Sequence, residues 1–215
     1  MEEYHTNTRN QSGRNMIKYP KTKSDPLCKW RNASIDTVIE LVSILPKTRL
    51  TKDKFREYMS EFYNGAFFRT PYQLALQLGL YYEDDNEYIP RFDHDITEEE
   101  EAISYMKKWM QRYYVPNPFT KRGFINITPS INLLYGLVDY LENHPDKPNL
   151  ITAGAALFGG EMGNVGCVKF VLNEYSQIIE VDHNNDMKLL VHKSGKIDVL
   201  NNRDDKQAFF KHFNG

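Results

Sequence analysis

The sequence predicts a mainly helical α+β protein, in which one unit of three short helices and a β-hairpin occurs twice. Three observations carry this. Helix, helix, helix and hairpin follow one another between Ser34 and Phe92, and the same order returns between Thr128 and Asn202. Between the two lie an acid-headed helix with a tryptophan and the proline-broken connector "VPNPFTKRGF". Such an order is that of a winged helix-turn-helix, whose third helix is the one offered to a DNA major groove. The expected fold is therefore two tandem winged helix-turn-helix units joined by a linker helix. The copies are not alike letter by letter, so what repeats is architecture.

Composition permits this. In 215 residues, 40% hydrophobic content with 14 Tyr and 12 Phe suffices for a core. The net charge of −2 says nothing in favour of a bulk-charge nucleic-acid binder, so any DNA contact must come from local Lys and Arg clusters. Cys28 and Cys167 lie far apart without metal-ligand spacing and read as reduced thiols. No apolar run approaches the roughly 20 residues of a membrane span. The opening "MEEYHTNTRNQSGR" lacks the apolar stretch of a signal peptide, so a cytoplasmic location is expected.

Residues 1–32 form an expected flexible basic arm, in which Arg9, Arg14, Lys18, Lys21, Lys23, Lys29 and Arg31 outweigh Glu2, Glu3 and Asp25. The first unit is expected over 33–96. "SIDTVIELVSIL" opens on Ser34 as N-cap, places Val38, Leu41, Val42 and Leu45 on one face and stops at Pro46. "TKDKFREYMSEFY" starts from Thr51 and aligns Phe55, Tyr58, Met59 and Phe62. "TPYQLALQL" begins on Thr70 with Pro71 in the first turn, turns Leu74, Ala75 and Leu78 inward and ends at Gly79. "LYYEDD" and "EYIPRF" then read as a hairpin.

A linker helix and connector are expected over 97–123. Thr97 and Glu98 to Glu100 start the helix, and Ile103, Met106, Trp109 and Met110 face inward. The second unit is expected over 124–215. Its helices are "TPSINLLYGLVDYLENH", capped by Thr128, then "DKPNLITAGAALFG" and "MGNVGCVKFVLNEYSQI". Its hairpin, "MKLLVHKSGKIDVLNN", turns at Lys193-Ser194-Gly195.

Three stretches also resemble a known family. The run "LQLGLYYEDDNEYIPRF", the stretch "AISYMKKWMQRYYVPNP" and the helix "ITPSINLLYGLVDYLEN" are similar to wing, link and following helix in the DNA-recognition regions of type IIS restriction endonucleases and their nicking relatives. The resemblance covers about residues Ala33 to His144 and implies a sequence-specific double-stranded DNA-binding module. Those enzymes carry a separate PD-(D/E)xK cleavage domain, and none is found here. Asp182, Asp186 and Lys188 come nearest, but the two carboxylates lie too close together in sequence, and a polar turn before a wing strand is the expected role. No cofactor is expected, with Mg²⁺ entering only through a separate catalytic subunit or domain.

Readout needs cations for phosphates and forked donors or amides for base edges. The candidates are Arg69, Thr70, Gln73 and Gln77 around the first third helix, with Tyr72 beside them. Lys121 and Arg122 stand in the connector. Asn164, Lys169 and Asn173 belong to the last helix, and His192, Lys193 and Lys196 to the expected wing tip. The acidic stretch from Glu83 to Glu101 cannot face DNA and is expected to meet solvent or protein. Two alternatives compete: a winged-helix protein-interaction or scaffolding subunit, which the acidic wing favours, and a metal-dependent endonuclease in its own right.

Overall fold

A computed structural model describes residues 33–62, 74–84, 86–115, 131–158 and 165–190. Helix α1 (Ile35–Ile44) begins as its sequence predicts, with the Ser34 hydroxyl accepting the Thr37 amide at 3.3 Å. It buries Val38, Leu41 and Val42, and Leu45 before Pro46 is extended. A two-residue strand, β1 (Leu50–Thr51), leads into α2 (Lys52–Phe62), whose Phe55 and Met59, one turn apart, are buried. A last helical turn at 74–77 closes at Gly79 (φ 67), where the Gly79 amide donates to Leu76 and the Leu80 amide to Ala75. This paired closure is a Schellman motif, and glycine reaches the left-handed conformation without a Cβ penalty.

Strands β2 (Tyr81–Asp84) and β3 (Glu87–Pro90) form the predicted antiparallel hairpin, from Tyr81 opposite Pro90 to Asp84 opposite Glu87. β1 joins on the other side of β3, giving the order β1-β3-β2. Phe55 stacks on Tyr88 at 4.1 Å between ring centroids, and Tyr81 closes the cluster 5.0 Å from Tyr88. The Tyr88 hydroxyl donates to the Pro46 carbonyl at 2.7 Å, and burial pushes its pKa above the ordinary tyrosine range.

Helix α3 (Glu99–Arg112) begins after Glu98 rather than at Thr97, with Glu99, Glu100 and Glu101 at the positive end of its dipole. Ala102, Met106, Trp109 and Met110 are buried, and Ile103, expected inward, is half-buried. This helix was expected as a linker. It is a core element that packs on α1 and on the π-helical turn Leu172–Ser176. After it, β4 (Tyr114–Val115) pairs antiparallel with β5 (Ile131–Asn132).

That pairing corrects the expected start of the next helix. Ile131 and Asn132 are extended, so α4 (Leu133–Asn143) is capped by Asn132, whose Oδ1 accepts the amides of Leu134 at 3.0 Å and Tyr135 at 3.1 Å. Thr128 and Pro129 lie outside the described residues. Helix α5 (Leu150–Phe158) follows, then α6 (Val165–Val171), which continues as one π-helical turn, Leu172–Ser176.

The hairpin described in the second half lies earlier than the expected Lys193-Ser194-Gly195 hairpin. β7 (Met187–Leu189) pairs backwards with β6 (Ile179–Val181), through a turn over 182–186, and the Lys193-Ser194-Gly195 tip lies outside the described residues. Tertiary bonds fix this earlier turn. Asn149 donates to the Asn184 carbonyl at 3.1 Å and to Asp186 Oδ1 at 3.0 Å, while Asp182 Oδ1 accepts the Asn184 and Asp186 amides.

The same backbone arrangement occurs in both halves. The first amide of α2, Lys52, donates to Asn86 at 2.9 Å, and the first amide of α5, Leu150, donates to Asn185 at 2.8 Å. Asn86 (φ 70) and Asn185 (φ 67) are both left-handed and both precede the second hairpin strand. Gly79 (φ 67) and Gln177 (φ 58) are left-handed two residues before the first hairpin strand. Arg91 donates to Leu80 at 3.0 Å as Leu190 donates to Ile178 at 2.8 Å. The bridge between Asn149 and Asp186 stands where β1 meets β3.

One hydrophobic cluster runs from Ala33 to Met187, and the buried Tyr175 hydroxyl donates to the Ala33 carbonyl at 2.7 Å. Among the described residues no helix is long and apolar enough to cross a membrane.

Candidate nucleic-acid interface

Three of the predicted contact residues are described: Gln77, Lys169 and Asn173. Arg69, Thr70, Gln73, Lys121, Arg122, Asn164, His192, Lys193 and Lys196 lie outside the described residues, as does Tyr72.

Gln77 is corrected. It was expected on an outward helix face, yet it is only 4% exposed. Helix α3 covers this turn: Trp109 Nε1 donates to the Gln77 carbonyl at 3.0 Å and the Tyr105 hydroxyl to the Leu78 carbonyl at 2.6 Å. With Leu74, Ala75, Leu76 and Leu78 also buried, the end of this helix has no free face. Among the described residues the buried Gln77 side-chain oxygen has no hydrogen-bond partner, an arrangement that burial penalises. As placed, Gln77 cannot reach a base edge.

Lys169 and Asn173 sit one turn apart and both serve the hairpin that follows. The Lys169 ammonium donates to the Asp182 carbonyl. Asn173 is exposed, but its amide is closed on Val181: Nδ2 donates to the carbonyl at 3.0 Å and Oδ1 accepts the amide at 2.7 Å. The fork that could pair with adenine is therefore engaged with backbone. Asp182 and Asp186 likewise serve the turn, in line with the polar-turn role expected of them.

The described surface carries both signs. Lys54 and Arg56 on α2, Lys108 and Arg112 on α3 and Lys188 on β7 are exposed. Against them stand exposed Asp93, Asp95, Glu98, Glu99 and Glu100. Between β3 and α3, His94 is held by two carboxylates, with Nδ1 2.7 Å from Asp93 Oδ1 and Nε2 3.1 Å from Glu101 Oε1. The hydrogen bond to Asp93, then that to Glu101, raises the His94 pKa, and the same bond to His94 lowers that of Asp93. Lys47 pairs with Asp95 at 2.8 Å near the end of α1.

Sequence reasoning did not anticipate a cleft of about 410 Å³, walled by Ala33, Ser34 and Thr37 on one side and Cys167, Phe170 and Val171 on the other. Phe170 keeps 39% of its surface exposed there. No local pattern signals this cleft, because its walls come from segments far apart in the sequence. Nor was Asn149 recognised as the residue that ties α5 to the second hairpin turn.

The chain matches no family model, no curated protein and no solved structure.

Proposed function

We propose that the chain is a sequence-specific double-stranded DNA-binding module made of two winged-helix units. In this reading it is the recognition part of a restriction endonuclease or related defence system, with strand cleavage supplied by a separate catalytic subunit or domain. The observation that carries the reading is the repeated backbone arrangement: in each half a residue just before the second helix pairs with the second strand of the terminal hairpin. Helix, edge pairing, two further helices and a hairpin are the element order of a winged-helix unit. The link to restriction systems rests on the resemblance of the three stretches described above.

A second reading, a protein-interaction or scaffolding subunit, is favoured by a different observation. The buried end of the first third helix and the exposed acids from Asp93 to Glu100 present a surface suited to protein rather than phosphate.

Selection from a pool of random duplexes at low salt separates the two. Enrichment of one short motif supports the DNA reading. A flat pool, together with a stable co-purifying protein, supports the interaction reading.

A further inference from the structure

We propose, resting on the DNA-binding reading above, that α6 is a holding helix and takes no part in base readout. Apart from Glu174 and the Cys167 thiol, the polar side chains of α6 and its π turn are hydrogen-bonded within the chain. Lys169 donates to Asp182, Asn173 closes on Val181, and Ser176 accepts the amides of Ile178 and Ile179. The apolar side is turned elsewhere: Cys167, Phe170 and Val171 face the start of α1 across the cleft, and Tyr175 is bonded to Ala33. Besides Asn173, whose amide is closed on Val181, the exposed residues are Gly166, Phe170 and Glu174. Phosphates require cations, and base edges require forked donors or amides. Glycine, phenylalanine and glutamate supply neither. The helix fixes its own hairpin and the start of the first unit, and base contact falls to other positions.

The test uses the full chain with Lys169→Met and Asn173→Ala, measuring affinity for the selected duplex, its salt dependence and thermal melting. Lys169→Met keeps the aliphatic stem and removes the charge at a half-buried position, so it also serves should Asn173→Ala fail to fold. Both variants are expected to bind within about twofold of wild type with an unchanged salt slope, and Asn173→Ala to melt at a lower temperature. A tenfold loss of affinity in Lys169→Met, with the salt slope reduced by about one phosphate, would overturn the proposal. So would an unmoved melting temperature in Asn173→Ala, whatever the DNA result. If wild type retains no duplex, the DNA-binding reading fails by itself, and the melting data still decide whether α6 holds its hairpin.

Discussion

The backbone amide of Leu150 donates to the carbonyl of Asn185 at 2.8 Å, joining the first residue of α5 to the turn of the second hairpin. Lys52 and Asn86 form the equivalent bond in the first half at 2.9 Å. In both halves the accepting asparagine is left-handed, a conformation asparagine tolerates better than most residues. Recurrence of this bond, the left-handed residue before the first strand and the strand registers is hard to obtain from two unrelated folds. What repeats between the halves is backbone geometry.

The helix closure at Gly79 gives a first prediction. Its φ of 67 disfavours any side chain, and a Cβ there would come 3.3 Å from the Tyr105 hydroxyl oxygen. Gly79→Ala is expected to destabilise the fold by about 1–2 kcal/mol, read by denaturant unfolding. Gln177 occupies the matching position with a side chain, so Gln177→Gly should leave stability unchanged or raise it. A loss on Gln177→Gly as large as that at Gly79 would count against the equivalence.

Asn132 caps α4 and also donates through Nδ2 to the Gln111 carbonyl at 2.7 Å, tying the helix start to the end of α3. Asn132→Ala should lower stability by about 1 kcal/mol or more, whereas Thr128→Ala should fall well short of that. Thermal melting followed by circular dichroism compares the two.

The Tyr175 hydroxyl is buried against the Ala33 carbonyl, and desolvation, followed by the charge of Glu174, pushes its pKa up to about 12. Tyr175→Phe removes the donor and leaves the carbonyl unpaired, at an expected cost of about 1 kcal/mol. Spectrophotometric titration should show one tyrosinate lost from the alkaline range in this variant, and stability unchanged from wild type would count against the bond.

His94 gives a pH dependence whose sign is fixed. Its folded pKa is raised above the ordinary 6.5 by Asp93 and Glu101. The stabilisation is therefore fully present below 6.5 and is lost as pH rises through the folded value. For Asp93 the folded pKa is lowered, so its share is present above the ordinary 3.8 and is lost as pH falls through the folded value. The groups are fully exposed, so the effect on unfolding is small, and the pKa is best read by NMR titration of the His94 ring. Glu101→Gln should bring that pKa down towards 6.5. An unmoved titration would show that the Glu101 contact does not persist in solution.

Local chemistry was legible in the sequence. Ser34 and Thr51 as helix starts, Gly79 as a helix end and the hairpin from Tyr81 to Pro90 all follow from caps, glycine and alternating aromatics acting over a few residues. What misled was local signal overridden by distant pairing. Thr128-Pro129 imitates a helix start, but β4 holds Ile131 and Asn132 extended and moves the cap to Asn132. The turn over 182–186 is fixed by Asn149, far upstream, a pairing no local pattern shows, while Lys193-Ser194-Gly195 lies outside the described residues. Gln77 looked outward because helical periodicity takes no account of α3 lying across it. The candidate contacts on α6 had the right residue types, but their commitments to Val181 and Asp182 depend on how the hairpin folds back.

DNA recognition is read from affinity for the duplex recovered by selection, compared with a scrambled duplex of the same composition over a range of salt. A sequence-specific module should bind the selected duplex at least about a thousandfold more tightly, with affinity falling linearly on a log–log plot as salt rises. Equal affinity for both duplexes, or no response to salt, would contradict the DNA-binding account and leave the repeated units as surfaces for protein.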